Sequence, residues 1–538
     1  MSHTTYREKV FKLTPIILLE VSIEANYMAF PRIYLVVAAV IVVVAVVVAT
    51  IFFTTKPITQ QVEKILVVGI TNDPHTLDPA LLADIASAMV AQNIYDSLVG
   101  YKPGTAELAP KLAEKWESNE NATIWTFYLR KNVKFHDGSE LTAEVVKYTI
   151  ERAKQLSGPP SYLLDVIEKV EVVDKYTVRF ILKYPFAPFP YLATSTIFSP
   201  VPLNATNLEE KPIGTGPFKL ESWKKGEQLV LVANKDYWRG PPKIDKVIIK
   251  IYPDPTTLRV ALEKGEVDIA FGLPPQDVEV LSKNPDIKIA SIEGLVIEWL
   301  GMNLRREPFN NTLFRKAINY AINYDYILNV VLRGTATRLY GPLPPAVFGY
   351  DPEVEKYSYT YNPELAKKLL AEAGYPEGKG LRELELIISS AERAERKDVA
   401  AVIQRNLKEI GINVKIIDLD WPSFLDRLFS HDFDMYMVDV YPDYIDPDTY
   451  IVSLFTTFGY KIDGYNNTLV DELALKGRQT IDIQERASIY KQLQKIIVDD
   501  APWAFLYVPK MYAFMRKNVE GFVLYPVYYI DFYPVNKV

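Results

Sequence analysis

An α/β fold with a parallel sheet, held outside the membrane behind one apolar helix, is what this chain predicts. Three observations carry the prediction. Between residues 384 and 440, five segments alternate between strand-like and helix-like patterns, which implies parallel strands joined by right-handed crossovers. Near the start, Ile33 to Phe53 (IYLVVAAVIVVVAVVVATIFF) runs 21 residues without a charge, about 30 Å of helix and so one bilayer core. The 538 residues are 49% hydrophobic. That suffices for sizeable cores in roughly two to four domains and is too much for a disordered or fibrous chain.

The elements follow in order. Arg7, Lys9, Lys12 and Arg32 precede the apolar run, which puts residues 1–32 in the cytoplasm and the remainder outside. The run 33–53 reads as an uncleaved transmembrane anchor, since no small-residue cleavage site is clear; a removed signal, leaving a secreted protein, is the alternative. Met28 is an alternative start. Residues 54–63 (TTKPITQQVE) form a polar linker, and Ile65 to Ile70 the first strand. Ile124 to Arg130 alternates, with Trp125, Phe127 and Leu129 on one face of a half-buried strand. Asp137-Gly138 makes a turn, and Thr142 caps a helix from Ala143 with Glu144 in its first turn. Leu313 to Arg333 is predicted as one helix, with Phe314, Ala317, Ile318, Ala321, Leu328 and Val331 at three- and four-residue spacing and Gly334 closing it. Asn362-Pro363 opens another helix, which Gly374 ends. Then come a strand (384–389), a helix (396–409) stopped by Gly411, a strand (413–419), a short helix (422–430) and a strand (433–440).

The totals narrow the function. A net charge of −7 argues against a nucleic-acid partner, which needs a basic face. The absence of cysteine removes disulfides, thiolate nucleophiles and cysteine metal sites. Together with 8 Met, 37 Pro and 35 Tyr, it fits a heat-adapted protein. No HExxH, P-loop, GxGxxG or G-x-S-x-G pattern is present. His136, in F-H-D-G, reads as a turn residue rather than a base, which leaves a surface hydrolase as the weakest reading. In open parallel sheets ligands bind beyond the carboxyl ends of the strands. Arg393, Trp421 and Asp443 follow the three strand ends in turn: one cation, one large aromatic and one anion. Arg393 as a helix-start residue and Trp421 as a core residue are the alternatives. Asp443, Asp446 and Asp448 crowd into six residues (YPDYIDPD), where carboxylates repel unless something positive lies among them. The spacing is not that of an EF-hand. Asp446-Pro447 is a turn signal and Asp448-Thr449 a helix start, so those two are read as structural. Asp443 is left undecided between a metal, a proton and a charged ligand.

The chain also resembles a known family. A-P-K-L-A-E-K-W-E (109–117), W-T-F-Y-L-R-K-N-V-K-F-H-D-G-S-E-L-T-A-E-V-V (125–146), P-I-G-T-G-P-F (212–218), N-K-D-Y-W (234–238), F-R-K-A-I-N-Y-A-I-N (314–323) and L-A-K-K-L-L-A-E-A-G-Y (365–375) are similar to the family 5 extracellular solute-binding proteins of ABC importers. The match runs from about residue 64 to the C-terminus. The resemblance implies a three-lobed, type II periplasmic-binding-protein-like fold. Domain I would be discontinuous (62–95, 214–294 and 508–538), domain II would be 96–213 and domain III 295–507, with ligand enclosed between I and III. It also implies a monomer with no enzyme activity, cofactor or metal. This protein would bind oligopeptides at the extracytoplasmic face and deliver them to an ABC permease. In the family's G-W-x-x-D-x-x-D-P-D segment an aspartate pairs with the peptide α-ammonium, and Asp443 takes that place. A pocket tryptophan upstream corresponds to Trp421, and dipeptide binders hold the α-carboxylate with an arginine in the loop matching Arg393. The chain departs from the pattern where Gly-Trp is replaced by Asp439-Val440, and Tyr441 partly replaces the lost tryptophan. That departure and the abundance of Tyr keep an oligosaccharide ligand as the alternative.

Overall fold

The computed structural model describes residues 32–54, 63–203, 205–390, 393–527 and 529–538. The chain divides into two units, Met1–Val62 and Glu63–Val538. In the first, Arg32–Thr54 forms a 23-residue helix around the predicted apolar run. Its side chains are described from 36 to 47, and among the described residues no helix is long and apolar enough to cross a membrane. The expected cytoplasmic segment 1–31 and linker residues 55–62 lie outside the described residues.

In the second unit the alternating region folds as predicted. Leu384–Ile388 lies between Val414–Asp418 and Met435–Val440 and is parallel to both. Leu384, Leu386 and Ile388 join one hydrophobic core and Ile387 another. With both faces covered, the strand has no polar side to show, which is why its sequence is nearly all apolar. The crossover helix Glu395–Glu409 packs Val399, Ile403 and Leu407 into the first core, and Trp421–Phe429 packs Phe424 and Leu428 into the second. One helix on each face of strands in this order is the arrangement right-handed crossovers produce.

The sheet then becomes mixed. Met435–Val440 runs antiparallel to Ile297–Met302, which pairs with the 14-residue strand Trp503–Arg516. Residues 510–516 of that long strand pair with Ile287–Glu293. Ala336–Arg338 also pairs with the long strand, and Ile269–Ala270, Ile65–Ile70, Lys246–Ile251, Gln228–Ala233 and Phe218–Lys224 complete the order, giving a sheet of 12 strands among the described residues. A separate antiparallel sheet contains Ala113–Ser118, Ile124–Leu129, Thr177–Leu182 and Ile167–Asp174. Trp125, Phe127 and Leu129 face its core together with Val146, Ile150 and Ala153 of helix Ala143–Leu156, which Thr142 caps.

One predicted element is corrected. The single helix over 313–333 is broken: Thr312–Ala321 stops at Ile322, whose ψ of 124° is extended. Asn323 turns its side chain onto the Tyr326 N–H at 2.9 Å and so caps a new turn, Tyr324–Tyr326, which continues as a π-helix, Ile327–Val331. The apolar spacing ran on without interruption because both pieces pack into the same core through Phe314, Ala317, Ile318 and Ile327. Side-chain capping by Asn beats helix continuation here.

Candidate ligand-binding site

At the carboxyl end of the parallel strands four charges form one network. Arg396, fully buried, holds Glu298 with two bonds of 2.7 and 2.9 Å and Asp439 with a third of 2.9 Å. Its remaining nitrogen donates to the Ser389 carbonyl at 3.0 Å. Arg393, 22% exposed, donates from Nε to Asp439 at 2.7 Å. Two cations thus face two anions. Burial works against the Asp439 charge, yet Arg393 and Arg396 hold its carboxyl below the usual range. Glu298 carries a signal in the sequence, since a carboxylate inside the strand VIEWLGM is costly unless paired. Arg396 had no comparable signal.

The crowded carboxylates beyond Met435–Val440 separate into three environments. Asp446 is fully buried, accepts two bonds of 2.6 Å from Arg486 and caps helix Pro447–Phe455. Asp448 is also fully buried, accepts two bonds of 2.9 Å from Arg478 and one of 2.6 Å from the Tyr444 hydroxyl. Both are structural, as the sequence reading expects, with the cap at Asp446 rather than Asp448. Asp443 is exposed, and among the described residues it has no ion pair. Its partner is the Tyr162 hydroxyl, which donates at 2.5 Å from a segment 281 residues away. Neighbouring atoms strip enough water from the carboxyl to raise it above its usual range, with the Tyr162 bond working the other way. A cation would relieve that. Nothing in the spacing of P-P-S-Y-L-L pointed to Tyr162.

Trp421 starts helix Trp421–Phe429 behind the Asp420 cap, is partly buried and stacks on Phe424 at 5.5 Å. Tyr441 is 42% exposed. Among the described contacts none joins Arg393, Trp421 and Asp443 to one another. A cavity of about 790 Å³ lies elsewhere, lined by Thr105, Tyr191, Val347, Phe348 and Ile483 among others. It offers few convergent polar groups, and none of Arg393, Trp421 and Asp443 lines it.

Four of the six segments that carry the family resemblance meet at a different place. Asp96, 1% exposed, receives Lys111 at 3.2 Å, the Thr215 hydroxyl at 3.1 Å, the Tyr237 hydroxyl at 3.2 Å and the Trp238 indole N–H at 3.0 Å. Burial opposes the Lys111 charge, but Tyr529 and Asp96 outweigh it and raise its pKa. Beside this cluster the Gly214 N–H donates to His136 Nδ1 at 3.3 Å, so Nε2 carries the proton and bonds the Gly216 carbonyl at 3.0 Å. A side chain on Gly214 would sit 2.1 Å from the Ile94 carbonyl oxygen, so the close approach requires glycine.

A sequence model of the bacterial extracellular solute-binding proteins, family 5 (middle part), matches residues 107–461. The chain belongs to that family. This solute-binding protein is 31% identical over 481 residues to a protein of Escherichia coli named Probable D,D-dipeptide-binding periplasmic protein, covering 86% of this chain and 92% of that one. It shares 31% identity and a TM-score of 0.71 with the Helicobacter pylori periplasmic binding protein DppA in complex with the peptide STSA, covering 89% and 99% of the two chains. With HbpA2 of Haemophilus parasuis it shares 30% identity and a TM-score of 0.82, covering 88% and 100%. These relatives carry the same α/β solute-binding fold, and the family is extracellular by description.

Proposed function

We propose that this solute-binding protein is the extracytoplasmic component of an ABC importer that captures oligopeptides and hands them to a membrane permease. The observation that carries the reading is Asp443. It follows a strand at the ligand edge of a parallel sheet, is exposed, and lacks the arginine that each of its two neighbours has. A peptide α-ammonium supplies the missing charge. The names of the dipeptide-binding relative and of the peptide complex support the same ligand class. Domain I (62–95, 214–294 and 508–538) and domain III (295–507) would close on the ligand, with domain II (96–213) riding on the first and the protein acting as a monomer without turnover. The anchor reading rests on the charge-free run 33–53 and the basic residues before it, with everything after about Thr54 outside. Resistance of the Glu63–Val538 unit to protease added to intact cells would overturn that orientation.

The test of the ligand is a double cycle read by calorimetry. Asp443→Asn keeps the shape and removes the charge, which costs on the order of 2–5 kcal/mol of binding, roughly thirtyfold or more in affinity. N-acetylation of the peptide costs the wild-type protein a similar amount and costs the variant little more, because both changes remove one interaction. Additive losses would sink the ammonium assignment. Tight binding of an uncharged oligosaccharide, whose rings Trp421 and Tyr441 could stack, would move the reading to a sugar receptor.

A further inference from the structure

The four-charge network at the sheet edge is not symmetrical in what each acid does. Glu298 and Asp439 face each other across paired strands, a position where like charges repel, and Arg396 bridges them. Arg396 would remain satisfied without Asp439: it keeps two bonds to Glu298 and one to the Ser389 carbonyl. Arg393 would not. Its other acid is Glu395 at 3.7 Å, a distance beyond hydrogen bonding. The net effect of Asp439 is therefore on Arg393, the one of the two cations that reaches solvent.

We propose that Asp439 sets the ligand class by consuming the charge of Arg393, so that this edge takes uncharged ligand backbone and not a terminal carboxylate. The proposal rests on the peptide reading above and sharpens it. A short peptide with its free α-carboxylate at this edge finds a guanidinium already spoken for. A longer peptide, whose C-terminus lies elsewhere, loses nothing. Arg393 thus acts as a latent anion site, and one side chain keeps it latent.

The experiment compares wild type, Asp439→Asn, Arg393→Gln and the double variant by calorimetry, with a dipeptide as free acid and as C-terminal amide. Wild type is expected to bind acid and amide within about threefold. Asp439→Asn, which leaves the guanidinium unpaired, should favour the acid by roughly tenfold or more, the worth of one charge-assisted pair. The double variant should lose that preference. N-acetylglycine is the second probe, since it offers a carboxylate and no ammonium. It should bind Asp439→Asn at least about tenfold more tightly than the other three proteins. If no peptide binds any of the four while N-acetylglycine still separates them, the peptide reading fails and the latent anion site stands. If peptides bind but Asp439→Asn gains for neither carboxylate, the inference fails and the peptide reading stands. Should Asp439→Asn not fold, Arg393→Gln decides alone. An unchanged acid-to-amide ratio supports the proposal, and loss of a wild-type acid preference overturns it.

Discussion

Three aspartates in six residues end in three different environments, and the difference lies in partners far away in the chain. Arg478 and Arg486 are 30 and 40 residues from the acids they hold, and Tyr162 is 281 from Asp443. The local signals at Asp446-Pro447 and Asp448-Thr449 were legible as turn and helix start because they act over two or three residues. The counter-charges were not legible, because no spacing rule links an acid to an arginine on another helix. This separation makes a sharp prediction. Asp446→Asn strands the buried Arg486 charge and should cost about 3–5 kcal/mol of stability. Asp443→Asn, on the surface, should change stability by no more than about 0.5 kcal/mol. Urea unfolding of the two variants measures this, and equal losses would contradict the assignment of roles.

Among the elements, the parallel unit was the most readable part, because its period and breakers (Gly411 at φ +95°) are local. The helix break at Ile322 was not readable, since one core receives both pieces and the apolar rhythm passes straight through. His136 shows how a turn residue becomes a structural pin. Burial pushes its imidazole down to about 4, and the ring accepts from Gly214 while donating to Gly216. The folded protein therefore binds this proton less readily than the unfolded chain, whose histidine titrates near the ordinary ~6.5. Above ~6.5 the neutral ring contributes its full share. As pH falls from ~6.5 towards 4 the unfolded state takes up the proton first and stability declines. The loss should be at most about 3 kcal/mol, and smaller in practice because the ring is only partly buried. Unfolding free energies of wild type and His136→Gln across this window check it: the variant should show the shallower slope.

On the scale of the whole molecule, the strand Trp503–Arg516 pairs with Ile297–Met302 at one end and with Ile287–Glu293 at the other. Both proposed ligand-binding lobes are therefore laced to the same backbone, and the proposed closure would bend that backbone near residues 294 and 508 rather than slide one lobe past the other. Small-angle scattering should report a smaller radius of gyration on adding peptide, with the peptide recovered intact. A radius unchanged by saturating ligand would refute closure. The Asp96 cluster has a consequence of another kind. Lys111, Thr215, Tyr237 and Trp238 all belong to the segments by which the family is recognised, and all converge on this buried carboxylate rather than on the sheet edge. Much of the family's signature is thus written around one buried acid. Cargo can then be rewritten away from this acid, one residue at a time, without blurring the label, so proteins sorted by these segments are sorted by their chassis and not by their freight.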